Sequence, residues 1–419
     1  VFGADNKWGN FYAFGGAWRV THEKFMEKVR FLNDLKLKLS WGRNGNQGID
    51  PYGTLSEAVI GPGGGIAYPF GNSTVPSFGI KQNSLGNSGL GWETTNSWNF
   101  GFESAWLNNR LFVNMDVYLS RTTDQIFNRT IPSMTGFDSM KSTMGEVANR
   151  GVEFSIHSVN IENKDWRWDT NLTFWLNRNE LVHLYGEDLD GDGREDDDLG
   201  NNLFIGHSIH SIYGYKVAGI VQKDDTEYIQ ANGATPGNPK YVDVDGNGTI
   251  GVEDRTILGT SDPRFKMSLS NTLSWKNFEL YFMLTGTFGG NGYYVSENAP
   301  AFLAGGGGGG AYSNNMYIPY WTEERPSNKY PAANFSGDGR FKGLQSRAFV
   351  RLQDITLSYT FNSAKIKNFG INNLRVFFTG KNLFTITGWE NGDPELGNTI
   401  LSSTYPISTN LSLGANISF

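Results

Sequence analysis

Twelve residues past the middle of the chain, Asp243-Val244-Asp245-Gly246-Asn247-Gly248-Thr249-Ile250-Gly251-Val252-Glu253-Asp254, have the spacing of a calcium-binding loop. Oxygen donors at the first, third and fifth positions, a backbone carbonyl at the seventh and a carboxylate at the twelfth surround a hard cation. A glycine at the sixth permits the sharp turn between them. The ligands here are Asp243, Asp245, Asn247, the carbonyl of Thr249, and Asp254, which stands where a longer Glu is usual. Bound Ca2+ stiffens a long connection; without it, the same Asp and Asn side chains cap their own turn. A second acidic run at 187–198 begins alike with Asp188, Asp190, Asp192 and Gly193. Its twelfth position is Leu199, so it reads as a solvated acidic loop.

Other chemistry is thin. His207 and His210 lack a third metal ligand of the right kind nearby, and the chain has no cysteine, no G-x-S-x-G and no phosphate-cradling loop. Asp393 and Glu395 have the types of glycosidase acids but sit on one loop, so catalysis is not expected. Binding is a better fit: sugar faces stack on rings, and their hydroxyls need hydrogen bonds. By position, Trp92, Tyr312, Tyr317, Trp321 and Trp389 are the candidate substrate contacts.

These residues lie between segments that alternate apolar and polar with a period of two. Eleven such strands are predicted, at about 11–20, 34–44, 96–106, 110–122, 150–160, 166–178, 264–275, 277–289, 346–361, 372–384 and 406–419. In the fourth, Leu111, Val113, Met115, Val117 and Leu119 alternate with Phe112, Asn114, Asp116, Tyr118 and Ser120. One face suits lipid and the other a watery lumen. Parity breaks once, between Val350/Leu352 and Ile355/Leu357, which predicts a β-bulge near Gln353-Asp354. Short links at 107–109, 161–165 and Lys276 alternate with long ones at about 45–95, 123–149, 179–263, 290–345 and 385–405. In outer-membrane barrels short turns face the periplasm and long loops the exterior. Trp18, Trp98, Trp106, Trp166, Trp168 and Trp275 fall near strand ends, as interfacial girdles do. The run of glycines at 305–310 reads as a mobile extracellular segment.

Composition agrees. The 419 residues are 38% hydrophobic without any stretch of 18 apolar residues, so helical membrane spans are excluded. A net charge of -7, with acidic residues gathered in loops, gives no reason to expect a nucleic-acid partner. The fold expected is all-β: a transmembrane antiparallel up-and-down β-barrel. Eleven strands raise a difficulty, because an unpaired sheet edge in hydrocarbon costs several kcal/mol per group. Single-chain bacterial barrels have even strand numbers, and the large plugged transporters have 22. Residues 1–419 are therefore expected to be the C-terminal half of a 22-stranded plugged barrel, with the plug domain absent from this chain. The lack of an export signal at Val1 accords with that.

Blocks along the chain carry a further signal. They include Gly16-Ala17-Trp18-Arg19, Phe31-Leu32-Asn33-Asp34-Leu35-Lys36-Leu37, Trp41-Gly42-Arg43-Asn44-Gly45-Asn46, Trp92-Glu93-Thr94-Thr95 and Asn149-Arg150-Gly151-Val152-Glu153. Tyr213-Gly214-Tyr215, Gly219-Ile220, the run 239–259, Arg351-Leu352-Gln353-Asp354, Gly380-Lys381-Asn382-Leu383-Phe384, Asp393-Pro394-Glu395 and the terminal Phe419 follow in order. Together they resemble the SusC/RagA-like TonB-dependent transporters. The resemblance implies a bacterial outer-membrane importer of oligosaccharide or peptide fragments, bathed in membrane lipid and energised by TonB through its missing N-terminal part. A SusD-like lipoprotein would close the mouth, in a dimer of transporter-lipoprotein pairs. A non-transporting surface β-protein, structural or adhesive, is the alternative; a surface glycosidase ranks third, and the long loops disfavour a passive porin.

Overall fold

Period-two alternation becomes one antiparallel sheet of eleven strands, each hydrogen-bonded to the next in sequence. The computed structural model describes residues 6–60, 67–68, 77–293, 319–335, 340–341, 343–361, 370–390, 393–396 and 407–419. In chain order the strands are β1 (Tyr12–Arg19), β2 (Leu32–Asn46), β3 (Glu93–Trp106), β4 (Leu111–Thr130), β5 (Ser139–Glu162) and β6 (Trp166–His183). They continue as β7 (Phe265–Trp275), β8 (Phe278–Phe288), β9 (Phe349–Phe361), β10 (Asn373–Thr387) and β11 (Asn410–Ser418). No helix among the described residues is long and apolar enough to cross a membrane. Among the described residues β1 pairs with β2 alone and β11 with β10 alone, so both are edge strands.

The tight turns lie where the sequence put them. Leu107, Asn108 and Asn109 adopt left-handed backbone at φ 55°, 58° and 59°, and Lys276 at 53°. The predicted bulge is present too: against β8, pairing of β9 shifts between Leu352 and Asp354 and leaves Gln353 as the extra residue, while β10 answers with its own irregularity at Asn382-Leu383. One connection differs from expectation. The long loop at 123–149 shrinks to 131–138, because β4 continues to Thr130 and β5 begins at Ser139. Apolar alternation stops at the edge of the hydrocarbon, whereas a hydrogen-bonded ladder needs no lipid to continue into water.

Contacts divide the chain into two units. The first comprises residues 1–109, 113–154 and 177–209. Its apolar face aligns Phe14 with Trp41 and Trp98, with Phe14 stacked on Trp41 at 6.0 Å. The opposite face carries ion pairs from Lys36 to Glu103 (3.4 Å), Lys38 to Glu103 (3.2 Å) and Lys38 to Asp116 (3.4 Å). Gly101 sits opposite Lys38 and leaves the space they need: a Cβ there would lie 2.2 Å from Asp116 Oδ1. Beyond the strands, Val147, Leu181, Leu184 and Leu203 form a small core under the connection that follows β6.

The second unit comprises residues 110–112, 155–176 and 210–419. Leu357, Phe378 and Leu413 stand level across β9, β10 and β11, and all three are exposed, Leu413 at 78%. Rows of exposed large apolar side chains suit a hydrocarbon surrounding, and a water-soluble monomer rarely carries so extended a patch. The opposite face holds Arg375, paired with Glu279 at 2.6 Å and bonded to Ser358 Oγ at 3.0 Å.

Candidate functional site

In the second unit, the connections after β6 and β8 fold into a body of their own. Short strands Ser211–Tyr215 and Arg255–Thr260 pair, as do Val217–Ile220 and Pro239–Tyr241, with helix α1 (Thr226–Asn232) between them. Ile220, Trp321 and Ala332 make one core cluster; Tyr241, Phe335 and Phe341 make another. Trp321 donates through Nε1 to Gln222 Oε1 at 2.9 Å, and Ile220 N donates to Asn328 Oδ1 at 3.0 Å. Gly219 is required by that approach, since its φ is +147° and a Cβ would lie 2.1 Å from Asn328 Oδ1. Asp225 accepts from the Gln222 amide and from Lys240 Nζ, which together hold its carboxyl below the usual aspartate range.

The 243–254 loop belongs to this body. Carboxylate oxygens of Asp243, Asp245 and Asp254 all lie within 4.8 Å of one another. Asp243 accepts from the amides of Gly246 and Gly248, both at 2.7 Å, and these glycines take φ of +77° and +86°. Asn247 Oδ1 accepts from both the amide and the hydroxyl of Thr249 at 2.8 Å. Asp254 is fully buried, accepting from Gly251 N at 2.7 Å and Val244 N at 2.6 Å, and these backbone donors lower its pKa. Asn232 at the end of α1 ties the loop down through Ile250 N at 2.7 Å. Three convergent carboxylates, with no nitrogen or sulfur ligand among them, fit a hard cation such as Ca2+.

The acidic run at 187–198 repeats this plan. Asp188 accepts from Gly191 N (2.7 Å) and Gly193 N (3.0 Å), with φ of +77° and +85° at those glycines. Its closing carboxylate is Asp196, which takes the amide of Leu189 at 2.7 Å as Asp254 takes that of Val244. Counting to the twelfth residue missed it, because here the loop closes after nine.

A third cluster joins two of the sequence blocks. Arg351 on β9, its side chain only 4% exposed, donates from Nη2 to both oxygens of Asp393 (2.7 and 2.8 Å) and from Nη1 to Glu395 (2.7 Å). Its Nε bonds Thr385 Oγ1 at 2.9 Å. Arg347 adds bonds to the carbonyls of Pro394 (3.1 Å) and Glu395 (2.6 Å). Asp393 and Glu395 thus share one guanidinium and latch the segment after β10 to the polar face of β9. No facing pair of carboxyls for glycoside cleavage is formed there.

The aromatic candidates are placed unequally. Trp321 and Trp389 are 8% and 5% exposed, packed inside their loops, because burial of so large a ring outweighs leaving it free. Trp92 is half-buried, edge-on to Phe11 at 5.4 Å. Tyr312, Tyr317 and the glycines at 305–310 lie outside the described residues.

Comparison with known proteins identifies the family. The sequence matches the TonB dependent receptor-like β-barrel family over residues 2–383. It is 31% identical to TonB-dependent receptor P26 of Formosa agariphila, covering all of this chain and 43% of the relative. It is 30% identical to TonB-dependent receptor SusC of Bacteroides thetaiotaomicron, covering all of this chain and 41% of SusC. The solved structure of the RagAB peptide transporter superposes with a TM-score of 0.76 at 26% identity, over all of this chain and 44% of that one. The chain therefore spans less than half the length of the relatives it matches.

Proposed function

This chain belongs to the TonB-dependent receptor-like β-barrel family of outer-membrane proteins, and from that premise we propose that the intact protein is a SusC-type nutrient importer. Oligosaccharide or peptide fragments enter from outside, TonB supplies the energy through the part of the protein outside this chain, and a SusD-like lipoprotein covers the mouth. The observation that carries the reading is the two-sided sheet. Its outward residues are oily and exposed, while its inward residues are charged and paired across strands, as with Lys38, Glu103 and Asp116. Such a wall lines a wet passage through lipid.

The loop bodies give that passage a stiff outer end. Asp243, Asp245, Asn247, the Thr249 carbonyl and Asp254 would hold Ca2+, whose charge would lock the 243–254 loop, and Arg351 fixes the segment at 393–396. Buried Trp321 and Trp389 serve this framework, so cargo is read by half-exposed groups such as Trp92. Membership of a receptor family and the absorption of Asp393 and Glu395 into an ion pair both support binding rather than catalysis.

Uptake by cells tests the reading. Cells lacking the protein should lose accumulation of one class among labelled oligosaccharides and peptides, regain it with the intact gene, and lose it again without TonB. Unchanged accumulation of every cargo in the deletion strain would remove the importer assignment.

A further inference from the structure

In the loop body of the second unit, residues 319–327 form a turn that is held from below. Trp321 is buried and donates to Gln222, and Gln222 Nε2 in turn donates to the carbonyl of Ser327 at 3.1 Å. Thr322 and Arg325 close the turn on themselves. Each amide donates to the other's carbonyl, at 3.1 and 3.2 Å, and Thr322 Oγ1 also takes the Arg325 amide at 3.0 Å. Pro319 and Pro326 fix φ on either side. This frame is made of backbone and a buried indole, so the side chains of Tyr320, Glu324 and Arg325 are left to line a groove of about 500 Å3, with Thr322 and Ser327 completing its wall.

The lining has a definite chemistry. Tyr320 is half-buried, and burial raises its pKa, so it stays an uncharged apolar surface with one hydroxyl. Glu323 is taken by Lys223 at 2.6 Å, whereas Glu324 and Arg325 are exposed and have no ion pair among the described residues. The groove therefore presents one free carboxylate and one free guanidinium beside an aromatic ring. A neutral oligosaccharide displaces water from both charges and returns no counter-charge, which its hydroxyls offset only in part. A short peptide carries an ammonium, a carboxylate and an apolar body on one small molecule, and each finds its complement here. The volume agrees, since small-ligand pockets run from about 300 to 1,000 Å3. A turn already held in place also spares the ligand the cost of ordering it.

Resting on the importer assignment, we propose that the 319–327 groove binds short zwitterionic peptides, with the carboxylate on Arg325, the ammonium on Glu324 and an apolar side chain against Tyr320. Calorimetry of the full-length protein with trileucine, its N-acetylated amide, maltotriose and cellotriose tests this. Free trileucine is expected to bind roughly fivefold to fiftyfold more tightly than the blocked peptide, the effect of two charge-assisted contacts at a solvated site. That preference should vanish in E324Q/R325Q and survive in part in E324D/R325K, while Tyr320→Ala weakens both peptides alike. Heat-modifiable mobility shows each variant folded. Equal affinity for the free and blocked peptides, an unchanged preference in the glutamine variant, or tighter binding of either trisaccharide overturns the proposal. So does the absence of trileucine binding at millimolar concentration. TonB-dependent uptake of labelled oligosaccharides alone would sink the peptide groove and leave the importer assignment standing, whereas loss of all uptake would sink both.

Discussion

Arg351→Met strips the guanidinium from a buried carboxylate while keeping most of the side-chain volume. Asp393 is 10% exposed and takes two short contacts, 2.7 and 2.8 Å, from one nitrogen of Arg351, with a further one of 2.8 Å from the Glu395 amide. Removing one partner of a buried pair costs about 3–5 kcal/mol, because the other charge stays buried and alone. At 1.36 kcal/mol per factor of ten, opening of the 393–396 segment should become roughly a hundredfold to several thousandfold more frequent. Glu395 sets the contrast: its side chain is 57% exposed, so Glu395→Gln should cost less than about 1 kcal/mol. Hydrogen exchange at the amides of Glu395 and Leu396, bonded to the Asp393 side chain (2.8 Å) and carbonyl (3.2 Å), reads both changes directly. Pairing Arg351→Met with Asp393→Leu should restore part of the protection, since an apolar pair needs no counter-charge. Equal effects of R351M and E395Q, or unchanged exchange in R351M, would refute the latch.

Four other outcomes follow from the same geometry. If the 243–254 loop holds Ca2+ with a Kd of about 0.1–1 mM, typical of extracellular sites, 10 mM Ca2+ should stabilise the protein by about 1.4–2.7 kcal/mol. Asp254→Asn should abolish the gain, and melting curves that coincide with and without chelator would exclude the ion. Backbone donors depress the Asp254 pKa, so its contribution is complete above the ordinary aspartate value of about 3.9 and is lost as pH falls through the lower folded value. Proteolysis of this loop should be unchanged from pH 7 to pH 5 and accelerate only below pH of about 4. Gly219→Ala must meet Asn328 and adopt φ of +147°, costing about 1–3 kcal/mol, which a melting curve of the extracellular loops would register. Leu413→Arg should cost about 2–4 kcal/mol near mid-membrane whereas neighbouring Ser412→Arg, on the opposite face, should cost little; the heat-modifiable fraction in outer-membrane preparations measures the difference.

What the sequence revealed was what depends on local period. Strand positions, the bulge at Gln353 and the turns at 107–109 and Lys276 follow from side-chain parity and backbone chemistry within a few residues, and the sheet reproduces them. Features set by distant partners were not legible. Arg351 and Asp393 are 42 residues apart and meet only once β9 and the segment after β10 are in place. Asp196 closes its loop by spatial position rather than by count, so a fixed spacing passes over it. Trp321 and Trp389 look like free rings in a loop sequence and become core when the loops fold on themselves.

The central claim is that β1 and β11 are edges completed by strands from elsewhere in a membrane barrel. A cryo-electron microscopy map of the intact protein in a lipid nanodisc tests it most directly, through the backbone bonded to the free edges at Tyr12–Arg19 and Asn410–Ser418. Strands of the same polypeptide from outside this chain should occupy both edges, with Leu357, Phe378 and Leu413 against lipid. If β1 instead pairs with β11, or those apolar rows pack against a second protein layer in water, the account is contradicted.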